Sequence, residues 1–466
     1  MKTERSEVSV QADARTGVRY AGARKKLLIL SLALAATPAF AADLMQVYRD
    51  AIAYDAQFAS AKAAWEAGQE KLPQGRAGLL PVISGSASTV WNDADYQRRT
   101  AGAPRLDTQY NTNGYQLTLS QPLFRWQNFE QYRQGKLAVA AADAQFAQAK
   151  QDVILRVSQA YFEVLLAQDS LSLAQAQKKA IAEQLEAAKR NFEVGTATIT
   201  DTHEAQARYD LATAQELAAQ NDQEIKRQAL RQVIGKVPES LAVLRAQVQL
   251  QRPQPDDMNK WVEAAEAGSP LVQAQEAALE IADKEINKQR AGHLPTLDLV
   301  ATRGRSSATG GLAAGAVVPF GSDTHTSTVG LQLNLPIFAG GAVMSKDREA
   351  VALREKARAD LDNTRRSAAL NARQAYLGVT NGMAQVKAYE QALVSSQSAL
   401  DSNKLGYEVG VRINIDVLNA QQQLFSTRRD LAKARYETLI AQLRLKAAAG
   451  SLGEEDVQAI NALLEK

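Results

Sequence analysis

Cysteine is absent from this chain of 466 residues, which excludes disulfides, thiolate nucleophiles and cysteine-based metal sites together. Histidine is scarce. His203, His293 and His325 lie far apart with no ligand-like spacing, and His203 reads as a surface residue. No paired His, Asp and Glu constellation offers acid–base chemistry, and the glycine-rich stretch 310–315 has neither the lysine nor the helix start of a phosphate-binding loop. No enzymatic activity, cofactor or metal is expected.

Apolar runs of spanning length are missing too. The run from Leu27 to about Ala36 falls short of the roughly 20 residues that a transmembrane helix needs. It follows Arg24-Lys25-Lys26 and precedes the small-x-small triplet Ala39-Phe40-Ala41. Residues 1–41 therefore read as an export signal, cleaved after Ala41. Ala42-Asp43 come next, with no cysteine to acylate, so a lipid anchor is excluded. A basic surface is lacking as well. The formal charge is +3, but the signal holds seven Lys/Arg against three Asp/Glu, which leaves the remainder at −1. A nucleic-acid partner loses its electrostatic basis. An exported chain without disulfides or a helical anchor is either a soluble extracytoplasmic protein or a β-barrel of an outer membrane.

What the chain does have is abundant Ala, Gln, Leu, Lys and Glu, which favours long helices, and an internal duplication. Arg76-Ala77-Gly78-Leu79-Leu80-Pro81 returns as Arg290-Ala291-Gly292-His293-Leu294-Pro295, and Gln116-Leu117-Thr118-Leu119 with Pro122-Leu123-Phe124 returns as Gln332-Leu333-Asn334-Leu335-Pro336-Ile337-Phe338. Ala160-Tyr161, Phe192-Glu193-Val194-Gly195 and Asp201 recur as Ala375-Tyr376, Tyr407-Glu408-Val409-Gly410 and Asp416. The offset stays between 214 and 216 throughout, so residues 42–250 and 251–466 are two structural repeats.

Each repeat has the same layout. A helical segment (about 44–72 and 258–292) ends at Leu-Pro, where proline disfavours continuation. Strands follow near 82–91 and 114–122, and again near 294–303 and 327–335, separated by polar loops over about 92–113 and 304–326. Very long helices (about 126–193 and 342–408) break at Gly195 and Gly410, and second helices return over about 202–234 and 415–448. Ile154, Val157, Tyr161, Val164 and Leu171 fall on the narrow three/four spacing of a coiled-coil seam, matched by Tyr376, Val379 and Val386. Nearly 70 helical residues make a rod of roughly 100 Å.

In the strands, Tyr115, Leu117 and Leu119 alternate with Gln116, Thr118 and Ser120, and Val329, Leu331, Leu333 and Leu335 alternate with Gly330, Gln332 and Asn334. Alternation alone fits a one-sided soluble sheet as well as a barrel wall. Strand lengths, long polar loops, and Trp91, Tyr115, Phe124, Trp126, Phe320 and Phe338 near strand ends favour the barrel. Four strands cannot close a membrane barrel, and open edges cannot face lipid, so several chains must combine.

The chain resembles the TolC family of outer-membrane efflux proteins from Asp43 to about Leu464. Asp43-Leu44-Met45-Gln46-Val47-Tyr48, His293-Leu294-Pro295-Thr296-Leu297-Asp298-Leu299 and the two Val-Gly turns carry the likeness. The resemblance implies a mainly α fold with transmembrane β structure. It would form a homotrimer whose twelve-stranded β-barrel, four strands from each protomer, continues as a long periplasmic α-helical coiled-coil barrel. Residues 236–257 and 449–466 would form an equatorial belt. It implies a Gram-negative outer-membrane exit duct for type I secretion and multidrug efflux, embedded in outer-membrane lipid. A periplasmic adaptor protein and an inner-membrane efflux pump or ABC transporter would serve it.

The resemblance also assigns roles at the helix turns. Thr200, Asp201, Tyr407 and Arg412 would link the periplasmic gate shut, with Asp201 accepting from Tyr407 or Arg412. A further family link pairs Gln184 with an acidic residue, where this chain has Lys404. Of the family's two aspartate rings, Asp416 matches one, and Asn419 stands where the other would be. Val194-Gly195-Thr196 and Val409-Gly410-Val411 would dock the adaptor. Asp201-Thr202-His203-Glu204 also fits a capping box for the second helix of the hairpin. An extracytoplasmic coiled-coil scaffold without a barrel is the alternative.

Overall fold

The computed structural model describes residues 41–465 except 98, 101, 246, 247, 314 and 315. The expected export signal lies outside the described residues, apart from Ala41. Before the first strand the chain forms three helices, α1 (Leu44–Tyr54), α2 (Ala56–Gln69) and α3 (Lys71–Ala77). The single helical segment expected there is split by Asp55. Its backbone N–H donates to the Ala51 carbonyl at 2.7 Å, while its carboxylate accepts from the Gln57 N–H at 2.9 Å and pairs with Arg156. An aspartate N-cap starts a new helix at low cost, and the extended backbone at Asp55 ends one helix where the next begins.

Strands β1 (Val82–Gln97) and β2 (Arg105–Phe124) follow, then α4 (Trp126–Glu193) and α5 (Ile199–Ile234). The second repeat holds α6 (Met258–Gly268), α7 (Pro270–Arg290), a short 3-10 turn (Ala291–His293), β3 (Thr296–Ala308), the small hairpin β4 (Gly311–Ala313) and β5 (Ala316–Val318), and β6 (Ser322–Asn334). It ends with α8 (Ala342–Glu408), α9 (Asn414–Ala448) and α10 (Glu454–Asn461). Among the described residues no helix is long and apolar enough to cross a membrane.

The four long strands make one antiparallel sheet in the order β1-β2-β3-β6. Its register sets Ile83, Leu119, Ala301 and Val329 side by side, and Ser84, Thr118, Thr302 and Thr328 in the adjacent row. Paired residues share a face, and successive rows alternate. One face is therefore Leu-, Val- and Ile-rich and the other is Ser- and Thr-rich. Neither is covered by another layer among the described residues, and Val329 is 78% exposed.

The strands run further than hydrophobic alternation indicated, into the stretches expected as loops. There the ladder is reinforced by side-chain bonds that leave no apolar signature. Asn111 donates to Thr89 at 3.0 Å, Asn92 donates to Thr112 at 3.2 Å, and Arg305 pairs with Asp323 at 2.9 Å.

The largest core surrounds the middle of α4. Val153, Val157, Tyr161, Phe162, Val164 and Leu165 pack against Leu44 and Val47 of α1, Tyr436, Leu439 and Leu443 of α9, and Val457 and Ile460 of α10. The Tyr161 hydroxyl donates to the Ala242 carbonyl at 2.7 Å, with the Ala42 carbonyl at 3.2 Å. The segment after α5 and the end of the chain are drawn to the same place by short β-bridges, Ala42 with Leu241 and Leu244 with Leu464. Tyr436 donates to Asp169 at 2.8 Å, and burial pushes the Asp169 carboxyl up from its ordinary value. Each of these large apolar side chains contributes about 1.5–3 kcal/mol on burial.

Candidate functional site

Both long hairpins, α4–α5 and α8–α9, turn at a glycine in the left-handed region, Gly195 at φ 78° and Gly410 at φ 77°. The Thr196 N–H reaches back to the Asn191 carbonyl at 2.8 Å, and the Val411 N–H to the Gly406 carbonyl at 2.8 Å. These are the closing bonds of a helix that ends in a left-handed residue. A Cβ at either glycine would meet nothing within 4 Å, so the sign of φ demands glycine and crowding does not. Val194, Thr196, Val409 and Val411 are exposed beside them, Val411 at 80%.

The two turns start their return helices differently. The capping box expected to begin at Asp201 lies one turn earlier: Thr198 is the cap, and Thr198 and Asp201 form the complete box. The Asp201 carboxylate accepts from the Thr198 N–H at 2.9 Å and hydroxyl at 2.8 Å, and the Asp201 N–H donates to the Thr198 oxygen at 3.3 Å. In the second hairpin Ile413 stands at the N-cap and offers no side-chain bond. Asp416, in the first turn of α9, faces Arg412 at 3.7 Å.

The expected links are rearranged within the protomer. Asp201 is engaged by Thr198 and not by Tyr407 or Arg412, because a capping bond three residues away needs no assembly of distant helices. The Tyr407 hydroxyl instead accepts from Asn191 at 3.1 Å, and Arg412 turns to Asp416. Thr200 is exposed. Gln184 donates to Asn414, while Lys404 points to solvent. Asn419 accepts from Arg208 at 3.0 Å, and the other arm of Arg208 donates to Gln422 at 2.7 Å.

Arg208, Asn191, Asn414 and Gln422 carry these contacts and were not singled out by sequence patterning. The repeat gave only a coarse signal. Arg208 and Gln422 are 214 residues apart and Asn191 and Tyr407 are 216 apart, each one position off the 215-residue offset that pairs Phe192 with Tyr407 and Asp201 with Asp416. Neighbouring, not equivalent, positions of the two repeats touch. Beside these bonds Leu418 of α9 packs among Ile181, Leu185 and Ala188 of α4 and Ala205 and Ala212 of α5. Among the described residues no cluster of His, Asp or Glu could hold a metal ion.

A family model described as outer membrane efflux protein matches residues 47–236 and 261–451. The alkaline protease secretion protein AprF of Pseudomonas aeruginosa is 35% identical over 428 residues, covering 91% of this chain and 88% of that one. The outer membrane protein TolC of Escherichia coli is 34% identical over 445 residues, covering 94% of this chain and 88% of the relative. Among solved structures, the outer membrane protein VceC of Vibrio cholerae has the same fold. Its TM-score is 0.73 at 20% identity, over 87% of this chain and 96% of that chain.

Proposed function

This chain belongs to the outer membrane efflux protein family, and from that premise we propose that it is an outer-membrane exit duct for type I secretion and multidrug efflux. The observation that carries the reading is the sheet. It has one apolar and one small-polar face, two open edges, and helices of 68 and 67 residues following its second and last strands. Three copies would pool four strands each into a closed twelve-stranded barrel, apolar outward to lipid and polar inward to water. The helices would continue the duct through the periplasm, and cargo would pass without a chemical step. A polypeptide cargo is supported by the name of the Pseudomonas relative, a protease secretion protein.

The glycine turns would form the periplasmic mouth. A periplasmic adaptor would dock on Val194, Gly195, Thr196, Val409, Gly410 and Val411, with an inner-membrane transporter behind it. Thr200, Asp201, Tyr407 and Arg412 would contribute to closure, Asp201 by fixing the start of α5 and by contacts between protomers. Three Asp416 carboxylates around one axis would favour cations, with Asn419 adding no charge.

Planar-bilayer conductance of the purified protein, added from one side, tests this. Discrete small channels are expected. A folded protein that stays in aqueous solution without detergent and never conducts would overturn the duct in favour of the scaffold.

A further inference from the structure

Near the glycine turns the two repeats meet through one apolar residue, Leu418, and a few polar bonds. Arg208 of α5 is the side chain that makes two of them, to Asn419 and Gln422 of α9. Both bonds depend on one guanidinium, so a displacement of α9 against α5 breaks them together. Among the described residues Arg208 makes no ion pair; its charge is delivered to two neutral amides.

The buried face of α9, next to the exposed side that carries this contact, is poorly satisfied. Asn414 and Gln421, two turns apart, are only 2% and 4% exposed, yet Asn414 Nδ2 and Gln421 Oε1 find no hydrogen-bond partner among the described residues. Buried polar atoms left unpaired within the protomer are unfavourable, and they add nothing that holds α9 in place. A seam with one apolar anchor and unpaired amides is held by its directional bonds, and the charge-assisted ones are the stronger class.

We propose that Arg208 is the latch of the closed mouth in this chain, positioning α9 against α5, and that its charge at Asn419 offsets the cation preference set by Asp416. The proposal rests on the duct reading above. It reverses what substitution of Asn419 does. An aspartate there would not add a free carboxylate to the constriction; it would turn a neutral bond into an ion pair with Arg208 and tighten the closed state.

Single-channel conductance and reversal potential under a KCl gradient test the latch on the full-length protein. Arg208→Gln removes both charge-assisted bonds and is expected to give more than a tenfold rise in open-channel occupancy, since loss of even one such bond implies about that factor. It should also shift the reversal potential toward cations. Gln422→Ala removes one of the two acceptors and should give a smaller rise.

Asn419→Asp should lower open occupancy and leave the reversal potential unshifted, whereas the same change combined with Arg208→Gln should give the strongest cation preference. Wild-type channels with all of these variants unaltered would reject the latch alone. So would Asn419→Asp raising cation preference equally with and without Arg208. A wild-type protein that never conducts rejects the duct reading and the latch with it.

Discussion

Two stretches of the contact between the repeats are built in opposite ways. At the middle of α4, the Phe162 ring packs tilted against Tyr436 at 5.6 Å between centroids, inside a core that also holds Leu439 and Leu443. Near the turns, the same two hairpins, α4–α5 and α8–α9, meet through Leu418 and bonds from Gln184, Asn191 and Arg208. Apolar burial is non-directional and tolerates small shifts, so it suits a joint that must persist. Hydrogen bonds are lost within an ångström or so of displacement and can be exchanged for others, so they suit a joint that must open. Permanence and reversibility are thus distributed along one pair of hairpins by side-chain type.

The largest effect expected is at the permanent end. Phe162→Ala or Tyr436→Ala should cost about 3–5 kcal/mol in denaturant unfolding, while Asn191→Ala near the turn should cost about 1 kcal/mol and act mainly on conductance. Equal losses of stability at the two places would break the comparison.

Next in size, Tyr161→Phe leaves the Ala242 carbonyl without its donor inside the core, a loss of about 1–3 kcal/mol. Hydrogen exchange at the Ala42–Leu241 bridge should accelerate in parallel.

Thr198→Ala removes the α5 cap and should lower stability by about 1 kcal/mol. Measured with Asp201→Ala, it separates the two roles of that carboxylate. Matching stability losses and unchanged channels point to a cap alone, whereas enlarged channels only for Asp201→Ala point to closure as well.

The smallest effect concerns pH. Burial raises the Asp169 carboxyl on folding, with the Tyr436 hydrogen bond pulling the other way without cancelling it. A carboxyl raised in the folded state contributes stability that is complete below its ordinary range and is lost as pH rises through the folded value. Asp169→Asn should therefore flatten the pH dependence of stability on the acid side, read from unfolding midpoints between mildly acidic and neutral pH.

Much of the architecture was legible from residue patterns. The seam of Ile154, Val157, Tyr161 and Val164 is buried, and Gly195 and Gly410 turn where the long helices had to end. Alternation found the sheet because Leu117, Val329 and their neighbours share one face. It missed the outer ends of the strands because Asn–Thr pairing does not alternate in polarity. It missed the break at Asp55 because the apolar spacing continues across the cap.

The polar bonds between the repeats near the turns were the least legible. Each joins residues more than two hundred positions apart, and which faces of two rods meet is set by the whole helix packing. Arg208 looks like any solvated arginine on a helix, and Asn419 like a lost carboxylate. Only their contact gives either a role.

The sheet ends at β1 on one side and β6 on the other, with a row of backbone groups unpaired along each. Such a ladder cannot be completed by one polypeptide, whatever its sequence does elsewhere. Its last bonds form only on encounter, so the rate of finishing the sheet depends on chain concentration, while the helical core around Tyr161 can form at first-order rates. Dilution would separate the two processes in time and hold the chain as a folded rod with an unfinished, adhesive end. Any cell making this protein has to shield that end until the other copies arrive.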